Sequence, residues 1–297
     1  MLIPNFLIIG SSRCGTTSLY RYLKQHPQIY MSPVKEPSFF SYEGMKPNHR
    51  GPSDEKFNRT AVTKIEDYGA LFKDVTTETA IGEASTNYIY NPKASERINH
   101  YIPNARLLAI LRHPVERAYS SFLYLIRDGR EPLRDIAQAI EEEPQRIRQN
   151  WAPIWNYKHM GFYYDQLKRY FDQFDRSQIR VYLYDDFSTN PSRLLQDIFQ
   201  FIGVVDTFVP DTSLRHNVSG IPRSRVLHKL LTQQSMIKYS VERLIPEGWR
   251  RRLSLQKRNL IRPTLPADLR RQLIEEYRED ILKLQELIQR DLSKWLE

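Results

Sequence analysis

Short apolar runs alternate along this chain with longer stretches whose apolar residues recur every three or four positions. The runs Phe6–Ile9, Ile29–Met31, Leu107–Leu111 and Ile179–Leu183 are short, continuous and rich in Ile, Leu and Val. Runs of this kind read as strands buried on both faces, as in a parallel sheet covered by helices. Helical patterns begin at Thr17, near Pro92, at Val115, near Leu133, near Phe162, at Pro191 and near Ala267. The alternation predicts an α/β fold, a three-layer sandwich with a central parallel sheet. Near the end, Leu269, Leu273, Tyr277, Ile281, Leu284 and Ile288 form one apolar stripe. That stripe predicts an amphipathic helix over about 267–296 that packs on the core.

Two stretches break the pattern. Residues 41–64 mix glycine, proline and charge and read as a surface excursion, while 205–225 contain Pro210, Gly220 and Pro222 and read as a long loop. There is no internal repeat, low-complexity tract or clear linker. The 297 residues therefore read as a single domain, 1–297, long enough to bury a sizeable core.

Composition narrows the class. Hydrophobic residues make up 40% and charged residues 27%, ordinary for a soluble globular protein. The one cysteine, Cys14, leaves no intramolecular disulfide and no cysteine-cluster metal site, so no metal is expected. It suits a reducing compartment. No apolar run is long enough to span a bilayer, and the first residues lack a signal-peptide layout. A cytoplasmic location is the expectation. The net charge of +9 is concentrated: residues 223–262 carry eleven Lys or Arg against two Glu, so the remainder is neutral. Such a segment is either a solvated helical face or a rim for an anionic donor, an acidic glycan or an anionic membrane surface. No nucleic-acid polymer is expected as partner, and the oligomeric state is not readable.

The chemistry begins at FLIIGSSRCGTTSLY, residues 6–20. A buried strand runs into a polar loop and then a helix, which is how a phosphate-binding loop begins. The unpaired amides and partial positive charge of a helix N-terminus favour an anion there. Gly10 and Gly15 have the spacing of the nucleotide-hydrolase pattern GxxxxGK[ST], but Thr16 replaces its lysine. A P-loop kinase is therefore the weaker reading. Arg13 supplies the missing charge with a fork suited to phosphate oxygens, Gly15 lets the backbone approach, and Thr16 and Thr17 add hydroxyls.

This strand, basic residue, Gly-Thr-Thr and helix resemble the 5′-phosphosulfate loop of the sulfotransferases, which use 3′-phosphoadenosine 5′-phosphosulfate (PAPS). The resemblance covers roughly residues 4–225 and the terminal helix. It implies a P-loop-like nucleotide-binding sulfotransferase fold, with donor contacts from the loop residues Arg13, Cys14, Gly15, Thr16, Thr17 and Ser18. LLAILRHPVERAYSSFLY, residues 107–124, resembles the family's 3′-phosphate site and implies Arg112 and Ser120 as its ligands. RHNVSGIPRS, residues 215–224, resembles the loop that closes over that phosphate, with Arg223 as the match. IRVYLYDDF offers Tyr184 as an adenine partner, or equally as a core aromatic at the sheet end.

SPVKEPSFF, residues 32–40, resembles the base loop of the heparan-type sulfotransferases and implies Glu36 as general base, with Lys35 near the leaving oxygen or the sulfonate. IGEASTNYIYNP, residues 81–92, resembles a second heparan-type element. Glu83 is present there as a second base or a positioner of the acceptor, but Ala84 stands where that group commonly has a lysine. His113 ranks behind both acids and reads as a local cap. The resemblance implies transfer of a sulfonyl group to a hydroxyl or amine, with a glycan as the favoured acceptor. A lipid, a peptide or a carrier-bound metabolite stays open.

Overall fold

The computed structural model describes residues 1–213, 220–222, 260–261 and 263–297. Five strands, β1 (Phe6–Gly10), β2 (Ile29–Met31), β3 (Ala80–Ala84), β4 (Arg106–Leu111) and β5 (Ile179–Leu183), form one sheet in the order β2-β3-β1-β4-β5. Every pairing is parallel, with Phe6 level with Gly82 on one side and Arg106 on the other. The helices are α1 (Thr16–Leu23), α2 (Phe39–Tyr42), α3 (Glu55–Thr60), α4 (Ile65–Ala70), α5 (Ala94–Tyr101), α6 (Pro114–Arg127), α7 (Ile136–Glu141), α8 (Glu143–Arg148), α9 (Tyr163–Phe171), α10 (Tyr184–Thr189), α11 (Pro191–Ile202) and α12 (Ala267–Ile288).

Alternation along the central strands creates the layers. Leu7, Ile9, Leu107, Ala109 and Leu111 point to one face, against α6, α9 and α12. Phe6, Ile8, Leu108 and Ile110 point to the other, against α1 and α11. Each fully buried aliphatic side chain contributes about 1.5–3 kcal/mol relative to exposure, so both faces must be covered.

β3 was not expected as a strand. Gly82 and Glu83 interrupt its apolar run, yet all five residues are buried. Gly82 is required by packing: a Cβ there would lie 2.1 Å from the Phe6 ring. The terminal helix is shorter than its stripe suggested. It stops at Ile288, Gln289 turns the chain in the left-handed region (φ 52°), and a short 3₁₀ turn at Ser293–Leu296 buries Trp295. Asp280 fixes α12 to α9 by accepting the amides of Tyr163 (2.9 Å) and Tyr164 (3.1 Å).

The excursion at 41–64 is pinned rather than loose. The fully buried Asp54 accepts from Gly51 N (2.9 Å), Ala152 N (2.8 Å), Trp155 Nε1 (3.0 Å) and Arg130 Nη2 (2.6 Å). The start of the long loop is also tied down. Gln25 exchanges two hydrogen bonds with the Asp211 backbone (2.8 and 3.1 Å), and His26 Nε2 lies 2.8 Å from the Val205 carbonyl. Ile221–Pro222 then pairs antiparallel with Leu260–Ile261 as β6 and β7. Arg223 and nearly all of the basic stretch 223–262 lie outside the described residues.

Connections leaving β1 run toward β2 and those leaving β4 run toward β5, so the sheet changes direction between β1 and β4. A parallel α/β sheet opens a crevice at the carboxyl ends of such a pair. The two segments expected to bind phosphate leave the sheet there.

Candidate active site

The β1–α1 loop presents an open helix end. Gly15 is the N-cap of α1, in the left-handed region (φ 92°), with no side-chain cap and no acid in the first turn. The amides and dipole of a helix N-terminus favour an anion, and no acidic side chain in this first turn opposes one. A Cβ on Gly15 would come within 3.2 Å of Tyr184 and Phe187, so α10 closes directly on the loop.

Arg13 reaches from this loop to α6. Its Nε donates to Ser120 Oγ (3.4 Å), and its guanidinium lies 4.4 Å from the centre of the Tyr124 ring. Burial brings its pKa down to about 10. Tyr124 opposes the shift, and the nearby Arg127 and Arg112 add to it. Arg112 follows β4, packs its guanidinium 4.8 Å from the Tyr184 ring centre, and meets Glu116 at 3.6 Å. Arg13, Arg112, Ser120 and Tyr184 thus converge on one crevice, in which crowded, partly desolvated cations favour an anion.

Cys14 was expected among the donor contacts, whereas His113 was expected as a local cap. Cys14 is fully buried, 4.0 Å from Tyr163 Oη, and burial pushes its thiol up. Its side chain belongs to the core, and only its backbone belongs to the loop. His113 is the N-cap of α6: its Nδ1 accepts the Val115 amide (3.2 Å), and burial holds its imidazole down to about 4.

The Glu36 carboxylate lies on a second rigid seat. Thr86 donates to it from its amide (2.7 Å) and from Oγ1 (3.1 and 3.2 Å), and Lys35 Nζ pairs with Oε1. Its surroundings are thus an ammonium and a threonine, not the aromatic rings of Phe39 and Phe40, which are buried behind it. The seat is continuous with the phosphate loop. Ser85 N donates to Ile8 O (3.1 Å), Ile89 N donates to Ile9 O (2.9 Å), and a Cβ on Gly10 would lie 3.4 Å from the Thr86 carbonyl. One strand end therefore carries both the anion loop and the support of the acid. Glu36 itself is left-handed (φ 63°), as are Arg13 (φ 69°) and Ser38 (φ 59°). Each such residue costs about 1–2 kcal/mol, a burden that clusters at functional sites.

Glu83 corrects the expectation of a second base. It is fully buried, accepts from Tyr68 Oη (3.4 Å) and Ser85 Oγ (2.9 Å), and has no access to an acceptor. Burial pushes it up to about 8, against the hydrogen bonds of Tyr88 and Ser85 and with the Glu36 charge adding to the shift. Thr86 and Tyr124 were missed as site residues. Both lie within the quoted motifs, but their threonine and tyrosine side chains carry no signal of a partner. Among the described residues, no cluster of His, Cys, Asp and Glu is placed to hold a metal ion, and no helix is long and apolar enough to cross a membrane.

The sulfotransferase family matches residues 4–207 of this chain. Human carbohydrate sulfotransferase 15 is 25% identical over 249 residues, covering 68% of this chain and 44% of that protein. Human bifunctional heparan sulfate N-deacetylase/N-sulfotransferase 3 is 26% identical over 211 residues, covering 68% of this chain and 22% of that protein. The chain thus spans less than half the length of these curated relatives. A solved sulfotransferase from Alicyclobacillus acidocaldarius superposes with a TM-score of 0.80 at 34% identity, over all of both chains.

Proposed function

The chain belongs to the sulfotransferase family, and from that premise we propose that it transfers the sulfonyl group of PAPS to a carbohydrate hydroxyl or amine, with Glu36 as general base. The observation that carries this reading is the shared seat at the end of β1: an uncapped, arginine-lined helix end and a carboxylate held by the adjoining segment.

The residues present fit the donor. Gly15 keeps the backbone of the loop free of a side chain where α10 closes on it, and burial, with Arg127 and Arg112 nearby, lowers the Arg13 pKa to about 10, so an anion would relieve it. Arg13 and the α1 amides would hold the 5′-phosphate, Arg112 and Ser120 the 3′-phosphate, and Tyr184, which borders both Gly15 and Arg112, would meet the adenine. PAPS, when bound, supplies a sulfonyl group on a good leaving group. Glu36 would take the proton of the acceptor O–H or N–H as the acceptor bonds to sulfur and the sulfur–oxygen bond to the 5′-phosphate breaks, releasing adenosine 3′,5′-bisphosphate. Lys35, paired with Glu36, would meet charge on the sulfonate or leaving oxygen. The remaining contribution is alignment, which the common seat provides. A carbohydrate acceptor is supported by the names of the relatives and by the basic stretch 223–262.

Calorimetry with adenosine 3′,5′-bisphosphate and transfer from labelled PAPS test this reading. Glu36→Gln should keep bisphosphate affinity within about twofold and lower turnover by about 10²-fold or more, the range for a lost general base. A wild-type protein that binds neither PAPS nor the bisphosphate would overturn it.

A further inference from the structure

Alternate amides of the segment that carries Glu36 land on one ladder of acceptors. Glu36 N donates to Ala84 O (2.9 Å), Ser38 N to Ser85 Oγ (3.0 Å) and Phe40 N to Tyr88 Oη (3.4 Å). Two of these three acceptors are side-chain hydroxyls, free to rotate unless something fixes them. Glu83 stands behind one of them and beside the aromatic ring that packs on the segment. Ser85 Oγ donates to its Oε2 (2.9 Å), and Tyr68 Oη donates to Oε1 (3.4 Å) while the Tyr68 ring stacks on Phe39 at 4.6 Å. The segment so held contains two non-glycine residues in the left-handed region, Glu36 and Ser38, so it does not keep this shape by local preference.

We propose that Glu83 is a positioning residue: through Ser85 and Tyr68 it fixes the strained 36–40 segment and thereby aims the Glu36 carboxylate at the acceptor. This rests on the reading of Glu36 as the base. Burial of Glu83 supports the role, because a carboxyl in this setting offers hydrogen-bonding oxygens without placing a second full charge beside Glu36 near neutral pH.

The test compares Glu83→Ala, Glu83→Gln and Ser85→Ala. Amide hydrogen exchange of the 36–40 segment should rise about tenfold in the two alanine variants, the equilibrium weight of one lost hydrogen bond, and stay near wild type in Glu83→Gln. Exchange in the 10–18 loop and affinity for adenosine 3′,5′-bisphosphate should not change. With PAPS and N-desulfated heparan as the acceptor probe, kcat should fall about tenfold or more while the KM for PAPS stays put, as expected for a misaligned base. Should Glu83→Ala fail to fold, Ser85→Ala carries the same comparison. Wild-type exchange at Ser38 and Phe40 in the alanine variants, or a rise spread evenly over the sheet, would overturn the proposal. Full turnover in Glu36→Gln would instead remove the base reading and leave the hold on the segment standing.

Discussion

Glu83 and His113 are displaced from their ordinary pKa values by the same cause, burial, with opposite consequences for stability. Glu83 is raised to about 8 from an ordinary 4.5. Between those values the folded chain keeps a proton that the unfolded chain has released, so its contribution is complete below about 4.5 and is lost as pH rises through 8. His113 is lowered to about 4 from 6.5, so its neutral form contributes above 6.5 and is lost as pH falls toward 4. The two slopes overlap between about 4.5 and 6.5, where wild-type melts alone cannot separate them. Glu83→Gln removes one and leaves the other. The stability of wild type minus that of Glu83→Gln should therefore fall steadily from pH 5 to pH 8, as read from urea midpoints at constant salt. Parallel curves would mean that Glu83 does not hold its proton in the fold.

Among the elements, the excursion at 41–64 owes its shape to one side chain. Asp54 uses both carboxylate oxygens twice, filling its acceptor capacity with donors from Gly51, Ala152, Trp155 and Arg130. Asp54→Ala leaves Arg130 and three other donors without their acceptor, and should cost about 3–5 kcal/mol in denaturant midpoint experiments, the range for breaking a buried charged contact. The same element shows where reading a sequence stops. Polar composition placed 41–64 at the surface, and no local pattern says that a distant Trp155 will meet Asp54. β1 and β4 were legible because continuous apolar runs mark strands covered on both sides, β2 was found on three residues, and β5 was found although as an edge strand it leaves Arg180 exposed. β3 was not legible, because its Gly82 answers to a ring on the neighbouring strand and its Glu83 to hydroxyls outside it. The family resemblance named Arg13, Gly15, Arg112, Ser120 and Glu36, and the structure brings the first four to one crevice. Thr86, Tyr124 and the left-handed turn at Glu36 were not legible, because side-chain partners and positive φ leave no trace in residue type when the residue is not glycine.

Across the whole molecule, the change of direction between β1 and β4 sets the Arg13 and Arg112 segments at one crevice, and on the proposed reading this makes the two ends of the donor separable by experiment. Arg13 leaves β1 and Arg112 leaves β4, so each is tied to its own phosphate if the proposed assignment holds. Adenosine 5′-monophosphate carries only the group that Arg13 would meet, whereas adenosine 3′,5′-bisphosphate carries both. Arg112→Ala should then weaken the bisphosphate by about 1.5–3 kcal/mol, the value of a charged hydrogen bond, and leave the 5′-monophosphate nearly unchanged. Arg13→Ala should weaken both. The same preference appears as stability, since a ligand that binds only the folded chain at 100 times its Kd adds about 2.7 kcal/mol. Thermal shifts at matched nucleotide concentrations therefore report the four combinations without any acceptor. Equal losses for both nucleotides in Arg112→Ala would reverse the proposed assignment. Arg13 already touches Ser120 across the crevice, so some loss of the bisphosphate in Arg13→Ala will pass through Ser120. The monophosphate, which never reaches that side, measures Arg13 alone.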